Sequence, residues 1–274
     1  MPDLYAVIGN PISHSKSPLI HTEFARQTKQ AMQYDALLSP LDGFAATVQS
    51  FQEQGGKGMN ITVPFKLEAF DLSTQLTERA KQAQAVNTFK FDGNQWLGDN
   101  TDGAGLVRDI TFNLATHITE KRILLMGAGG AARGVILPLL EHQPAVLAIA
   151  NRTATKAQHL KQQFDAYGHV MAGCYEDFVD GNFDLIINAT SASLNDELPQ
   201  LPVGIFNDNA LAYDMMYRNE PTRFLNFAKQ QGVKHLADGV GMLVEQAAES
   251  FLLWRGIRPD TQSVIQLLKQ KQSH

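Results

Sequence analysis

The sequence predicts an α/β fold with two domains, and three observations support this. Segments typical of β-strands alternate with segments of helical pattern along the whole chain, which indicates helices layered on sheets. A fresh strand–helix series begins near residue 122. The chain has 274 residues, and domains usually contain roughly 100–200 residues. We therefore expect a domain boundary near residues 100–120.

The first domain begins with a strand and a helix that carry clear local signals. Ser17 is a residue type favoured at helix N-caps, and Pro18 suits the first helical turn. Asp92 and Gly93 form the kind of turn that joins two antiparallel strands. The predicted strands are 4–9, 32–38, 58–63, 86–91 and 95–98, and the predicted helices are 17–28, 42–56 and one long helix from Pro64 toward Lys81.

The second domain is predicted as a series of buried strands, most of them followed by a helix. Its strands are 122–127, 145–150, 169–174, 183–190 and 211–216, and the closing helices are 241–254 and 262–271. Strands that alternate with helices in this way favour a parallel sheet.

Composition excludes several classes of protein. With 44% hydrophobic residues and a net charge of −5, the chain resembles neither a disordered protein nor one that binds nucleic acid through a basic surface. No apolar stretch reaches the roughly 18 residues of a membrane span, and residues 1–17 lack the pattern of a signal peptide, so we expect a cytoplasmic protein. The single cysteine, Cys174, and the spacing of the eight histidines predict no metal site.

The most informative local segment is a glycine-rich turn between a buried strand and an apolar helix. Gly127, Gly129 and Ala132 match the G-x-G-x-x-A form of the dinucleotide-binding motif. Gly127 permits a tight turn, Gly129 lets the backbone approach a pyrophosphate, and Ala132 allows close packing of helix on strand. The exposed amides of this turn and the positive end of the helix would hold the phosphates. A glycine-rich turn without a ligand is the alternative.

The end of the next strand indicates which dinucleotide is bound. An NAD site usually carries an acidic residue there to bind the ribose hydroxyls. Here the strand ends in Asn151, Arg152 and Thr153, with Lys156 shortly after. The guanidinium of Arg152 can bind a 2′-phosphate through two parallel hydrogen bonds, so NADP(H) is the expected cofactor. The alternative is an arginine that is simply exposed to solvent.

Three polar clusters in the first domain are candidates for substrate binding. Ser15 and Ser17 precede a helix, where two hydroxyls and free helix-end amides suit a small carboxylate. Lys66 falls in the first turn of a helix, a position unfavourable for a cation. Asp102 belongs to a polar loop, 98–103, that also contains Asp99, Asn100 and Thr101, and Asn87 can point toward the same place. Plain helix capping is the alternative for Ser17 and Asp102.

Taken together, these segments resemble the NADP-dependent shikimate dehydrogenase family, and the resemblance covers nearly the whole chain. The matching motifs, in chain order, are GNPISHSKSP, GKGMNITVPFK, AVNT, GDNTDG, GAGGAARG with NRT, FDLIINATS and DGVGMLVEQAA. The resemblance implies a reversible, NADPH-dependent reduction of 3-dehydroshikimate to shikimate, which belongs to aromatic amino-acid biosynthesis.

The resemblance also implies roles for individual residues. Lys66 and Asp102 match the catalytic pair, and Ser15 and Ser17 match the serines that bind the substrate carboxylate. The residues expected to contact the rest of the substrate are Thr62, Asn87, Gln246 and Tyr217. Those expected to contact NADP(H) are Gly127, Ala128, Gly129, Gly130, Ala131, Asn151, Arg152, Thr153, Lys156, Thr190, Met215 and Gly239.

The implied architecture is an α/β substrate domain, residues 1–101 with 242–274, and a Rossmann-type doubly wound NADP-binding domain, residues 102–241. The expected partner is the small-molecule substrate, with no nucleic acid and no membrane, in a monomer or homodimer. Two departures from the family pattern concern the cofactor: Ser191-Ala192-Ser193-Leu194 replaces a glycine-containing turn, and Lys156 stands where some members carry an arginine. A lysine there could weaken the preference for NADP over NAD.

Three other functions are open on the sequence. A quinate/shikimate dehydrogenase that prefers NAD should carry an acidic residue where Asn151 and Arg152 stand, so the sequence opposes it, and a quinate/shikimate dehydrogenase with relaxed cofactor use stays open. A methylenetetrahydrofolate dehydrogenase shares the two-domain plan, but the paired serines suit a small carboxylic acid better than a pterin. A non-catalytic NADPH-sensing homologue is disfavoured by the presence of both Lys66 and Asp102.

Overall fold

The computed structural model describes residues 2–190, 199 and 201–272. The chain divides into two compact units, one comprising Met1–Gly105 and Leu243–Leu267, the other Leu106–Met242 and Leu268–His274. Each unit contains one six-stranded sheet with helices, so the predicted fold class is confirmed. The predicted domain bounds and the role of each domain stay a prediction.

The first unit is built on a mixed sheet in the order β2-β1-β3-β5-β6-β4. Its strands are β1 (Asp3–Gly9), β2 (Met32–Leu38), β3 (Gly56–Ile61), β4 (Gln75–Leu76), β5 (Thr88–Asp92) and β6 (Gln95–Asp99). Its helices are α1 (Ser17–Thr28), α2 (Phe44–Glu53), α3 (Lys66–Leu72), α4 (Glu78–Ala83), the start of α5 (Asp102–Arg108), most of α9 (Val240–Arg255) and the first part of α10 (Gln262–Gln272). The β5–β6 hairpin is antiparallel, as predicted.

The second unit is built on a wholly parallel sheet in the order β12-β11-β10-β7-β8-β9. Its strands are β7 (Arg122–Met126), β8 (Val146–Ala150), β9 (Val170–Gly173), β10 (Phe183–Asn188), β11 (Phe206–Asp214) and β12 (His235–Ala237). The helices α6 (Gly130–Glu141), α7 (Ala154–Phe164) and α8 (Arg223–Gln230) belong to it, and a π-helical turn (Asp109–Asn113) follows α5. The strand order reverses between β7 and β10, which is where a doubly wound sheet binds ligands at its carboxyl edge.

The apolar core of each unit explains why these segments are strands. In the second unit, Leu125 and Ile149 point to the face that packs on α6, whereas Leu124 and Ala148 point to the opposite face. Both faces are buried, which is typical of parallel sheets and matches the continuous apolar runs in the sequence. In the first unit, a core around Phe44, Met59 and Phe89 supports the sheet.

The structure corrects two local predictions and adds one strand. Residues 64–81 form no single helix, because Gln75–Leu76 pairs with β6 and the side chain of Thr77 caps a separate helix, α4. The N-cap of α1 is Lys16 and not Ser17, which is the first helical residue. The strand β12 is an addition: it has only three residues and pairs with β11, a long-range contact that leaves no pattern in so short a segment.

Within the part of the chain that the structure describes, no helix is long and apolar enough to cross a membrane.

Candidate active site

The centre of the candidate site is an ion pair between two helix N-termini of the first unit. Lys66 is the first residue of α3 and Asp102 is the first residue of α5. The Nζ atom of Lys66 donates to Oδ2 of Asp102 at 2.5 Å. The start of a helix favours the carboxylate and disfavours the ammonium group, so the aspartate compensates for the unfavourable place of the lysine. The structure thus brings together the two residues that the sequence singled out for catalysis.

Asn87 is the residue that connects this pair to its surroundings. Its Nδ2 atom lies 2.8 Å from Oδ1 of Asp102, 2.9 Å from Oγ1 of Thr101 and 3.3 Å from Oε1 of Gln246. Its Oδ1 atom accepts from the amide of Thr101 at 2.9 Å and from the hydroxyl of Thr88 at 2.8 Å. Because both ends of the amide are used, the orientation of Asn87 is fixed, and so is the second oxygen of Asp102.

Gln246 reaches this cluster because α5 and α9 pack very closely. A Cβ atom at Gly105 would lie 2.6 Å from the backbone nitrogen of Gln246, so only glycine permits this approach. The side chain of Gln246 contacts Asn87, and its Nε2 donates to the carbonyl oxygen of Leu243 at 2.8 Å. The glycine therefore brings a residue from the end of the chain to residues near position 100.

Four further buried polar residues, beyond the predicted site residues, form hydrogen bonds next to Asn87: Tyr34, Asn60, Thr88 and Ser250. Nδ2 of Asn60 donates to Oγ of Ser250 at 2.9 Å and to Oγ1 of Thr88 at 3.1 Å, and its Oδ1 accepts from the Tyr34 hydroxyl at 2.7 Å. Ser250 lies one helical turn after Gln246, and Thr88 directly follows Asn87. Those spacings were visible in the sequence, but Tyr34 carries no sequence signal that links it to the site.

Ser15 and Ser17 lie at the start of α1, as predicted. Oγ of Ser15 accepts from the backbone amide of Ser17 at 3.3 Å. Ser17 is buried and Ser15 is half-buried. Burial raises the pKa of Tyr34 well above its ordinary value, and a hydrogen bond from the Ser17 hydroxyl opposes that rise. Ser17 is thereby linked, through Tyr34 and Asn60, to the cluster around Asn87.

Thr62 lies just beyond the carboxyl end of β3. Its amide donates to the carbonyl oxygen of Ile8, and its methyl group lies over Gly9, where a Cβ atom would come within 2.5 Å of it. The segment that carries Ser15 and Ser17 begins at this same end of β1. Thr62 is half-buried.

The second unit holds the glycine-rich turn in the predicted position, between β7 and α6. Gly127 has a φ angle of +109°, and a Cβ atom there would lie 3.2 Å from the carbonyl oxygen of Ala189. In contrast, a Cβ atom at Gly129 or Gly130 would meet nothing within 4 Å. Ala128 is half-buried, Ala131 is exposed and Ala132 is fully buried. The turn thus leaves open space beside the backbone at the N-terminus of α6.

The cationic residues expected beside this turn follow β8. Arg152, Thr153 and Lys156 are exposed. Thr153 is the N-cap of α7 but makes no side-chain capping bond, so the helix does not use its hydroxyl. Asn151 is fixed by two bonds: its amide donates to the carbonyl oxygen of Gly173 at 3.1 Å and its Nδ2 to that of Thr153 at 3.0 Å.

Thr190, Met215 and Gly239 also lie together in the second unit. The amide and hydroxyl of Thr190 both donate to Oδ1 of Asn188, at 3.1 and 2.7 Å. The amide of Met215 donates to the carbonyl oxygen of Asn188 at 3.0 Å. A Cβ atom at Gly239 would lie 2.1 Å from the carbonyl oxygen of Met215, so this approach requires glycine. A Cβ atom at Gly127 would lie 3.3 Å from the methyl carbon of Thr190. Thr190 and the residues it lies beside therefore border the glycine-rich turn.

Tyr217 lies in the segment after β11 and is half-buried, and burial raises its pKa. Its expected contact with the substrate stays a prediction. The departure at Ser191-Ala192-Ser193-Leu194 lies outside the described residues.

These features of the second unit fit a dinucleotide. The open space at Gly129 and Gly130, the free helix N-terminus beside it and the exposed Arg152 and Lys156 match the needs of a pyrophosphate and a 2′-phosphate. Among the residues that the structure describes, no group of three or more histidine, cysteine, aspartate or glutamate residues could hold a metal ion.

Family models match three segments of the chain. They describe a shikimate dehydrogenase substrate binding domain (residues 7–89), a shikimate/quinate 5-dehydrogenase (residues 109–195) and a shikimate 5′-dehydrogenase C-terminal domain (residues 239–269). A curated relative from Nitrosospira multiformis, named shikimate dehydrogenase (NADP(+)), is 64% identical over 269 residues and covers 98% of each chain. The chain belongs to the shikimate dehydrogenase family.

Solved structures give the same result. The fold is similar to that of an Ael1 enzyme from Pseudomonas putida, with 50% sequence identity, a TM-score of 0.92 and coverage of 97% of this chain and 98% of that one. It is also similar to shikimate 5-dehydrogenase from Thermus thermophilus in complex with NADP(H) and shikimate, with 29% identity, a TM-score of 0.87 and coverage of 98% and 99%. The predicted family is therefore confirmed, and so is its enzyme class, the NADP-dependent oxidoreductases.

Proposed function

We propose that this chain catalyses the reversible reduction of 3-dehydroshikimate by NADPH, which yields shikimate and NADP, in the biosynthesis of aromatic amino acids. Membership of the shikimate dehydrogenase family supports the choice of reaction. The observation that carries the assignment of residues is the contact of 2.5 Å between Lys66 and Asp102. An ammonium group held by a carboxylate is a proton donor suited to a carbonyl oxygen that gains negative charge.

When bound, the nicotinamide supplies the hydride that is added to C3 of the substrate ring. Lys66 donates a proton from Nζ to the oxygen on C3 during reduction and accepts it back during oxidation. Asp102 uses Oδ2 to hold Lys66, and its other oxygen is held by Asn87. Asp102 therefore fixes the direction of the ammonium group and is itself placed beside the same substrate hydroxyl.

The remaining residues of the first unit orient the substrate. Ser15 and Ser17 bind its carboxylate at the start of α1, where helix-end amides favour an anion. Thr62, Asn87 and Gln246 bind ring hydroxyls, and Tyr217 contributes from the segment after β11. Asn87 and Gln246 present groups that are already fixed by neighbours, so little side-chain entropy is lost when the substrate binds.

The cofactor is bound by the residues of the second unit. Backbone amides of the glycine-rich turn, at Gly127, Ala128, Gly129, Gly130 and Ala131, hold the pyrophosphate. Arg152 and Lys156 hold the 2′-phosphate, with Asn151 and Thr153 beside them. Thr190, Met215 and Gly239 complete the site at the carboxyl ends of β10 and β11.

The substrate is a small molecule, and we propose a cytoplasmic protein that acts as a monomer or homodimer without nucleic acid or a membrane as partner.

Two alternative functions remain. Use of quinate with relaxed cofactor choice is suggested by the matching shikimate/quinate model and by Lys156, but Arg152 opposes a preference for NAD. A non-catalytic NADPH-sensing role is opposed by the intact Lys66–Asp102 pair.

The experiment that tests the function is an absorbance assay of NADP reduction by the purified protein. Shikimate and then quinate are offered with NADP, and both are repeated with NAD. We expect fast turnover only with shikimate and NADP. Equal kcat/KM for quinate would establish the relaxed alternative, and NADP binding without turnover of either substrate would establish the sensing role.

A further inference from the structure

Helix α9 carries two polar rows that serve different neighbours. Gln246 and Ser250, one helical turn apart, contact Asn87 and Asn60 in the candidate site. Glu245 and Glu249, also one turn apart, lie on the adjoining face. Glu245 is 0% exposed and accepts from Arg258 at 2.8 Å. Glu249 also pairs with Arg258, so both glutamates tie α9 to the segment that follows it, while Gln246 lies on the adjoining face of the same helix.

Arg79, on α4, joins this row to a different part of the chain. Its Nη1 atom lies 3.6 Å from Oε2 of Glu249. Its Nε and Nη2 atoms donate to the two carboxylate oxygens of Asp99 at 2.7 and 2.6 Å. A guanidinium group can contact two carboxylates in this way because it presents five donors in one plane. Arg79 thus touches both α9 and the last residue of β6.

Asp99 is buried, with 1% exposure, and has further partners. Its Oδ1 atom accepts from the Thr77 hydroxyl at 2.6 Å and from the Asn100 amide at 2.8 Å. Burial alone would raise the pKa of Asp99, but the bonds and charge of Arg79 outweigh burial and hold that pKa below its ordinary value. Asp99 is therefore an ionised group that depends on Arg79.

The segment from Asp99 to Asp102 leads directly to the ion pair of the site. The side chain of Asn100 accepts from the Asp102 amide at 3.2 Å and donates to the carbonyl oxygen of Ala85 at 3.0 Å. The amide of Asn100 is itself held by Asp99. Asp99 and Asp102 are therefore connected by hydrogen bonds through Asn100 as well as by the backbone.

We propose that Arg79 is a positioning residue that holds the segment 99–102 and helix α9 in one fixed arrangement, so that Asp102 and Gln246 meet at Asn87. This inference rests on the proposed function for its kinetic readout. Buried ion pairs contribute little net stability, because the loss of hydration offsets the attraction of the charges, and orientation is what such a pair can add. A purely stabilising role is the competing explanation.

Two substitutions separate these explanations. Arg79→Lys keeps the positive charge but loses the planar fork that reaches Asp99 and Glu249 together. Glu249→Gln removes a charge that Arg79 and Arg258 share on α9, and it leaves both bonds between Arg79 and Asp99 in place. It therefore keeps the test available if Arg79 variants fold poorly. Lys81→Met is the matched control, because Lys81 lies on the same helix in an exposed pair with Glu78, at 57% and 68% side-chain exposure.

The first readout is kinetic. We expect kcat/KM for shikimate to fall about tenfold in Arg79→Lys and about threefold in Glu249→Gln, with KM for NADP within about twofold of wild type in all variants. In the Arg79→Lys background, Gln246→Ala should cost less than it does in wild type, because Gln246 is already displaced. A lowered melting temperature with unchanged kcat/KM, or strict additivity of the two substitutions, would overturn the proposal.

The second readout does not depend on catalysis. Backbone amides of residues 99–102 and 243–250 should exchange hydrogen at least about tenfold faster in Arg79→Lys than in wild type or Lys81→Met. Unchanged hydrogen exchange in these two segments of Arg79→Lys would contradict the proposal, whether or not the wild-type protein oxidises shikimate. If the wild-type protein is inactive and Arg79→Lys still exchanges faster, the positioning role is supported and only the proposed function is rejected.

Discussion

The two units of the molecule form their polar sites in opposite ways. In the first unit the site consists of buried side chains that bind one another, such as Asn87, Thr101 and Asp102. In the second unit it consists of exposed backbone at Gly129 and Gly130 and an exposed cation, Arg152. A buried network fixes the direction of each group, and loss of one member leaves its partners unsatisfied. Exposed groups act more independently, and each can be removed with little effect on the rest.

Because one site is a buried network and the other is exposed, we expect substitutions in the two sites to change different kinetic constants. Changes in the buried network should lower turnover of substrate, because they disturb groups that must be aligned when the reaction occurs. Changes in the exposed site should raise KM for the cofactor and leave substrate handling and stability nearly unchanged. The largest effect is expected at the ion pair of the first unit.

Replacement of the proposed proton donor should impair the buried site most severely. In Lys66→Ala we expect kcat to fall by about 10²–10⁴, because the ammonium group that faces Asp102 is lost, and KM for NADP to stay unchanged. Steady-state kinetics with shikimate and NADP measures both. Lys57→Ala, at an exposed lysine on β3, is the control. A fall in kcat of less than about threefold would contradict the role assigned to Lys66.

Removal of the exposed cation should affect the cofactor alone. Arg152→Ala is expected to raise KM for NADP about 10–100-fold, the equivalent of losing charge-assisted hydrogen bonds to a phosphate. KM for NAD, which lacks that phosphate, should hardly change. Lys229→Ala, at an exposed lysine on α8, serves as the control. An equal rise for NAD and NADP would show that Arg152 does not bind the 2′-phosphate.

A buried histidine allows the comparison to be extended to stability. His21 is 0% exposed and stacks on Tyr34, and burial lowers its pKa to about 3. A hydrogen bond with Asn60 acts in the opposite direction, but burial is the larger influence. Below pH 6.5 the unfolded chain binds a proton at this histidine and the folded chain does not, so acid favours unfolding.

We therefore expect the free energy of unfolding of the wild-type protein to fall by about 2 kcal/mol more than that of His21→Phe between pH 6.5 and 5. Urea unfolding at several pH values measures this difference. His159→Gln, at an exposed histidine on α7, should follow the wild-type curve. Parallel curves for wild type and His21→Phe would mean that His21 is protonated in the folded state.

The smallest effect is expected at the glycine-rich turn. Gly129→Ala should raise KM for NADP about tenfold, because the added methyl group occupies space beside the pyrophosphate, while the free energy of unfolding changes by about 1 kcal/mol or less. Gly127→Ala should instead destabilise the fold by about 1–2 kcal/mol, since its φ angle of +109° disfavours a side chain. An unchanged KM for NADP in Gly129→Ala would show that the pyrophosphate does not lie beside the backbone of Gly129.

Features with a local cause could be predicted from the sequence. The bounds of α1 and β2 agree with the prediction because a proline at the helix start and short-range apolar patterns fix them. The glycine-rich turn could be predicted for the same reason, since glycine readily adopts the positive φ angle that Gly127 has. The choice of Lys66 and Asp102 depended on resemblance to a family, and spacing alone left helix capping open for the aspartate.

Features that depend on distant contacts could not be predicted in this way. The break between α3 and α4 results from pairing of Gln75–Leu76 with a strand about 20 residues away, and the helical pattern of residues 64–81 continues across it. The bond from Asn60 to Ser250 joins residues 190 positions apart. Such contacts form because folding brings two distant surfaces together. A contact of this kind leaves no periodic pattern in the sequence of either segment.

The α/β class, the glycine-rich turn and the residue types available for catalysis can be read from the amino-acid sequence, because backbone preferences and hydrophobic periodicity act over a few neighbours. Three contacts exist only in the folded chain: Lys66 with Asp102, Asn87 with partners at both ends of its amide, and Arg79 with both Asp99 and Glu249. These contacts require close packing of segments far apart in the chain, and the free energy of that packing is a property of the whole fold.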